Sequence, residues 1–394
     1  MNYRVVIALF ILIDFIFLSF YTTQISISYR EAKIYFFNDD FLHNIIHFST
    51  YIFGQNDFGL RVIFIFLHFL NLILIYNLSK SILKRDTDRF LSILIYALLP
   101  GVNSSALIIS EANIIIFLTL LFIYLFFKYR KLSLILLTLL LFIDNSFAIL
   151  FLSIFFYSFH KGDKLLLFYS LLLFTVSIYV FGFDTGGKPK GFFLDTLGVY
   201  SAIFSPFIFI YFFYSIYRVL IKGEKSLLWF IAFTALVFSL ILSFRQKLNI
   251  ADFAPFVVIA IPIMVKVFLS SYRVRIKEFR KQYYYMFLFL IFTLSVNFIV
   301  MFYNKPLYDV LYKEKHFAYK FHIAKELALI LKSKNIISAN FDDKKMALRV
   351  KFYGIKEGSE YRISSFAINN SSKKVSIFHT SKISEEFFVT KIHN

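Results

Sequence analysis

The chain has 394 residues, 59% of them hydrophobic and 21% aromatic, with 43 Lys and Arg against 24 Asp and Glu and a net charge of +19. Apolar runs recur near the roughly 20 residues needed to cross a bilayer core, which predicts an integral membrane protein. The basic residues are scattered over short loops rather than gathered in a stripe, which argues against nucleic-acid binding, and the lack of cysteine excludes disulfides, thiol chemistry and thiolate zinc sites.

In chain order, spans are predicted at 4–21, 59–78, 90–104, 106–127, 132–143, 146–160, 165–182, 197–217, 226–244, 252–270 and 283–303, about eleven in all. The first run continues without a small-residue cleavage site and is read as a retained span rather than a removed signal peptide. The short runs at 90–104, 132–143 and 146–160 are alternatively re-entrant or paired half-spans, which leaves ten or twelve open. Short cytoplasmic loops carry excess Lys and Arg. With the N-terminus inside, the clusters around Lys80–Arg89, Lys128–Lys131, Lys161–Lys164, Arg218–Lys225 and Arg273–Lys281 are cytoplasmic, and only Arg30, Lys33, Lys188, Lys190, Arg245 and Lys247 lie opposite. The chain is thus expected to be a polytopic α-helical membrane protein, with residues 1–303 as the membrane domain and its first loop, 22–58, outside the cytoplasm.

That loop gathers Glu31, Asp39, Asp40, His43 and His47 in an otherwise apolar region. Asp39, His43 and His47 fall at i, i+4 and i+8 on one helical face, a spacing that suits metal ligands but also an interfacial helix flanked by Phe36, Phe37, Phe41, Phe48 and Tyr51. A metal requirement is left open, with His43 and His47 as weak ligand candidates. Inside the spans, Asp14 is expected to be buried against a polar partner such as Asn71. Glu111 sits about one turn into a span, where it is either a second acidic candidate or a residue hydrated from the outer side.

After Tyr303 the chain becomes polar, and 304–394 reads as a small soluble α+β domain. One amphipathic helix is predicted over 317–331, with strands at 336–339, 347–352, 361–368, 374–379 and 387–392 separated by Asp342-Asp343, Gly354, Gly358 and Asn369-Asn370. Walker-type phosphate loops, dinucleotide fingerprints and Gly-x-Ser-x-Gly elbows do not occur in the sequence.

Several segments occur in a suggestive order. The first loop holds Glu31-Ala32-Lys33 and, entering the second span, Gly54-Gln55-Asn56-Asp57-Phe58-Gly59-Leu60-Arg61. Leu98-Leu99-Pro100 is followed by Ile109-Ser110-Glu111-Ala112-Asn113 and Phe117-Leu118-Thr119-Leu120, and Ser243-Phe244-Arg245-Gln246-Lys247 by Phe253-Ala254-Pro255. In this order they resemble the lipid-linked-sugar-dependent glycosyltransferases of GT-C fold, the group of lipid A aminoarabinose transferases and protein O-mannosyltransferases, over about the first 265 residues. Arg30 stands where that family carries the aspartate of an Asp-Glu pair. Asp39-Asp40-Phe41-Leu42 replaces its Lys-Pro-Pro-Leu stretch, and Asp144-Asn145 a common Lys-Gly.

The resemblance implies a bacterial inner-membrane enzyme that transfers a sugar from a polyprenyl-phosphate donor to a lipid, glycan or protein acceptor at the periplasmic face, where the C-terminal domain also lies. Such transfer needs a carboxylate to take the acceptor proton and cations to hold the departing phosphate. Glu31, Asp39, Asp40 or Glu111 would supply the carboxylate. Lys33, Arg61, Arg245 and Lys247 would supply the cations. Glu31 is expected to be a loop carboxylate whose replacement leaves folding intact. The partners implied are membrane lipid and lipid-linked sugar, the polyprenyl-phosphate sugar being the donor substrate and a divalent metal being left open. A transporter or flippase of lipid-linked saccharides, with Asp14 and Glu111 lining its path, and a noncatalytic membrane scaffold are the alternatives.

Overall fold

The computed structural model describes residues 3–38, 40–182, 191–310, 316–367, 372–379 and 382–392. Asp39, Lys188, Lys190 and the Asn369-Asn370 separator lie outside them. The helices in chain order are α1 (Tyr3–Thr22), α2 (Tyr29–Phe37), α3 (Phe41–Phe53), α4 (Asp57–Ile82), α5 (Asp86–Leu98), α6 (Pro100–Leu107), α7 (Glu111–Lys128), α8 (Arg130–Leu140) and α9 (Phe147–Lys161). They continue as α10 (Lys164–Phe181), α11 (Phe193–Phe204), α12 (Pro206–Lys222), α13 (Leu227–Ser243), α14 (Ala254–Val258), α15 (Ile261–Val274), α16 (Lys277–Phe302), α17 (Ala324–Ser333) and α18 (Lys344–Phe352). A small sheet of β1 (Asn340–Phe341), β2 (Tyr361–Ser364), β3 (Lys373–His379) and β4 (Lys382–Lys391) occupies the C-terminal region.

Among the described residues, six helices or helix pairs are long and apolar enough to cross a membrane, or eight if two bent pairs each count as one span. The expectation of about eleven is therefore corrected downward, and helix length is the reason. At about 1.5 Å per residue, α8 rises only about 16 Å and α9 about 22 Å, short of a hydrocarbon core of about 30 Å. The run predicted at 90–104 becomes the α5–α6 pair, bent by 61°, and the run at 197–217 becomes α11–α12, bent by 105°. A proline opens the second helix of each pair. Pro100 and Pro206 supply no amide hydrogen and disfavour helical backbone at the preceding residue, and Leu99 is extended while Ser205 takes the left-handed φ of 74°.

The chain divides into two compact units. The first comprises Met1–Phe15, Phe66–Ala106 and Ser110–Phe298. Its core is aromatic, with Trp229, Tyr200, Phe204, Phe212, Phe147 and Phe256 all fully enclosed. The apolar window of 254–274 is 78% buried, against 11% for that of α16, so α14–α15 lie inside the bundle and α16 at its edge. Several buried polar groups pair between helices, which offsets the cost of removing them from water. Asp14 meets His68 (Oδ2 to Nε2, 3.0 Å), and Asn71 donates instead to Asn113 (2.8 Å), which corrects the expected Asp14–Asn71 contact. Asp88 at the start of α5 takes a bidentate pair from Arg273 at the end of α15.

The second unit comprises Ile16–Ile65, Leu107–Ile109 and Ile299–Asn394, so the first loop belongs with the C-terminal residues rather than with the bundle. The sheet order is β1-β2-β4-β3, with β1 parallel to β2 and the other neighbours antiparallel. Ile363, Val375, Ile377, Phe387 and Val389 point to one face of it, in a core shared with Leu327 and Leu331 of α17 and Met346 and Val350 of α18. The strand predicted at 347–352 is therefore a helix. Asp343 caps it by accepting from the Lys345 amide, and Met346 and Val350 stand one turn apart on its buried face, a spacing that short apolar runs share with strands. The helix predicted over 317–331 begins only at Ala324.

Within this unit, the first loop and α2 pack on described residues of the C-terminal region. The Ser26 amide donates to the Phe321 carbonyl, Arg349 donates to the Ile27 and His322 carbonyls, and Tyr35 packs edge-on against Phe352. The C-terminal ends of α1 and α16 also meet, with Phe17 and Tyr21 against Phe302.

Candidate functional site

Glu31 is placed by a reciprocal cap at the start of α2: Ser28 Oγ accepts from the Glu31 amide, and the Glu31 carboxylate accepts from the Ser28 amide at 2.8 Å. The same carboxylate takes Arg61 Nη2 at 2.9 Å and the Ile109 amide at 3.2 Å. Neither Glu31 nor Arg61 is exposed at all. The rest of the Arg61 guanidinium donates to the carbonyls of Ile25 (3.1 Å) and Ser26 (3.3 Å). The expectation of a solvated loop carboxylate at Glu31 is thus corrected: this is an enclosed ion pair with satisfied hydrogen bonds, the arrangement that holds two loop segments to the start of α4. Neither group has an edge open to a substrate.

Next to this pair, and lining a cavity, is Asp57, the first residue of α4. It stands one turn before Arg61, 3.9 Å from that guanidinium. Its carboxylate is 4% exposed and accepts from the Tyr353 hydroxyl at 2.5 Å and from Lys325 Nζ at 2.8 Å. Burial pushes the Tyr353 phenol up, and the neighbouring carboxylate adds to that, so the hydroxyl keeps its proton and acts as a donor to Asp57. Lys325 also donates to the Thr23 carbonyl. Asp57, Lys325 and Tyr353, with Gln55, Asn56 and Lys332, line a cavity of about 520 Å³. One carboxylate, two lysines and two amide side chains thus share its lining, with Lys325 on the carboxylate. Asp57 was not among the carboxylates expected from the sequence to carry the chemistry. The available signal was an acid in the first turn of a span with an arginine four residues on, a pair that fits one helix face.

The other predicted residues are dispersed. Lys33 and Asp40 are exposed in the second unit. Asp40 caps α3 by accepting from the His43 amide. His43 Nδ1 and His47 Nε2 sit 2.9 and 2.8 Å from the carbonyls of Ile34 and Tyr35, which makes those nitrogens donors rather than metal ligands. Among the described residues, no group of three His, Cys, Asp or Glu side chains is placed to hold a metal ion. Glu111 is the first residue of α7 rather than one turn inside a span, a position where a carboxylate meets the positive end of the helix. Arg245 and Lys247 are exposed just beyond the end of α13, in the first unit.

The class defined so far is a polytopic helical protein with several apolar helices able to cross a membrane and a small C-terminal sheet. No family model matches the chain, and no curated protein matches its sequence.

Proposed function

We propose that the chain is a membrane glycosyltransferase that moves a sugar from a polyprenyl-phosphate donor to an acceptor hydroxyl or amine, with the Asp57 cavity as its reacting site. One observation carries the reading: a nearly enclosed carboxylate and two lysines line a single cavity beside the segment 54–61 on which the family resemblance rests. The acceptor enters past Lys332 and displaces Lys325 from Asp57 Oδ2. Asp57 takes the acceptor proton as the acceptor atom bonds to the anomeric carbon. The bond from that carbon to the phosphate oxygen breaks, and the electron pair leaves with the polyprenyl phosphate. Lys325, now free, and Lys332 meet the charge that develops on the departing phosphate. Tyr353 keeps the second carboxylate oxygen fixed.

The test is release of polyprenyl phosphate by the purified full chain supplied with polyprenyl-phosphate sugars. Asp57→Asn is expected to abolish release, and Lys332→Gln to weaken donor binding about tenfold or more, the equivalent of one charged hydrogen bond. Full turnover by Asp57→Asn would remove the assignment.

A second reading has its own support. Asp14 and His68 form an enclosed acid–imidazole pair within the bundle, and such pairs occur on ion and substrate paths in transporters. Transport of a lipid-linked saccharide across vesicles, sensitive to Asp14→Asn and without sugar transfer, would favour that reading.

A further inference from the structure

At the end of the bundle where α4 finishes, helix termini converge on a basin that no part of the proposed reaction uses. It measures about 890 Å³ and is bordered by Lys161 at the end of α9, Arg218 and Lys222 near the end of α12, Lys225, and Lys266 on α15. Among the described residues, Glu224 is the only acidic group on its wall. A second lobe of about 650 Å³ shares Arg218, Lys222 and Ser270 with it and adds Arg275. Among the described residues, none of Lys161, Lys222, Lys225 and Lys266 takes part in an ion pair, and Arg218 donates only to the Ser271 hydroxyl. The N-terminus of α13, capped by Ser226, opens into the same basin, so its unpaired amides add to the positive potential.

Clustered like charges repel, and a protein keeps them together without counter-charges where an anion from outside completes the set. The preference of basic residues for one side of a membrane explains their sign, but not their convergence on a cavity between helices. The rim states what kind of anion fits. Phe127 on the first lobe is 60% exposed, and Tyr217 and Ile221 on the second are 54% and 56% exposed. Apolar side chains beside a cationic basin match an amphiphile better than a free ion.

We propose that this basin binds the phosphate headgroup of an anionic phospholipid, with its acyl chains lying along Tyr217 and Ile221. The proposal is independent of the sugar-transfer reading, since it uses other residues in the other unit.

The experiment uses the full chain in nanodiscs of zwitterionic lipid, with phosphatidic acid titrated in and thermal stability as the readout. Wild type is expected to be stabilised in a saturable way. Lys161→Gln with Lys222→Gln and Lys266→Gln is expected to shift the midpoint at least tenfold upward, while the triple Arg variant retains it. Lys84→Gln with Arg85→Gln, basic residues beside the end of α4 but not on the basin wall, is expected to change nothing. An equal loss in that control would reduce the effect to general surface charge and overturn the proposal. So would full retention by the triple Gln variant. Equal stabilisation by inorganic phosphate would replace the lipid with a soluble phosphate and overturn the choice of ligand.

Discussion

Glu31 and Arg61 show how much a residue's burial changes its meaning. In an exposed loop, a carboxylate of this kind contributes little to stability. Enclosed, with three donor groups around it, it leaves a buried guanidinium without its nearest counter-charge if neutralised, a loss of about 3–5 kcal/mol. Glu31→Gln is therefore expected to lower the melting temperature of the purified protein by many degrees. A melting temperature unchanged from wild type would mean that the pair is not the clamp described above. Asp57→Asn is expected to behave differently. Its partner Lys325 is one-third exposed and also bonds to the Thr23 carbonyl, so the loss of stability is expected to be smaller while the loss of sugar transfer is complete. Measuring stability and turnover for both variants separates the clamp from the reacting carboxylate.

At the scale of elements, local chemistry at the ends decided the outcome more than the apolar pattern between them. The stretch 347–352 alternates enough to suggest a strand, yet Asp343 satisfies a free amide of the first turn and the helix places Met346 and Val350 in the core. Asp343→Ala is expected to cost about 1 kcal/mol, a normal cap loss, visible as a shift in the chemical-denaturation midpoint with an unchanged slope. Leu348→Pro, in the middle of this helix, is expected to cost about 3 kcal/mol or more. A tolerated proline would return the segment to a strand. The elbow between α11 and α12 follows the same logic. Ser205 at positive φ and Pro206 end one helix and start another, and Asn297 of α16 donates to the Ser205 hydroxyl at 2.7 Å, which holds the turn.

For the whole molecule, the contacts of α2 and the residues just before it with the C-terminal residues predict topology directly. The chain contains no cysteine, so single cysteines can be placed at exposed positions without background. Lys33→Cys and Lys356→Cys are expected to label from the same side of the membrane, because the segments that carry them pack in one unit. Lys84→Cys, beyond the far end of the 26-residue helix that begins at Asp57, is expected to label only from the other side. Labelling of Lys33→Cys and Lys84→Cys from one side would show that α4 does not cross.

The apolar spans, the long apolar first helix, the polar C-terminal region and the acid-rich first loop were all legible in composition and periodicity, because apolar length and charge are additive along a chain. The number of crossings was not. It depends on where prolines bend a run and on whether a short apolar helix packs against neighbours or faces lipid, and α9 and α14 are decided by partners distant in sequence. The candidate site was legible only as a region. Which of its acids is enclosed and which lines a cavity depends on contacts from Ile109, Lys325 and Tyr353, as many as about 300 residues from the loop they meet. Burial and pairing of a charge are properties of the tertiary environment, since the same carboxylate is a solvated group in an open loop and a structural ion in a closed one.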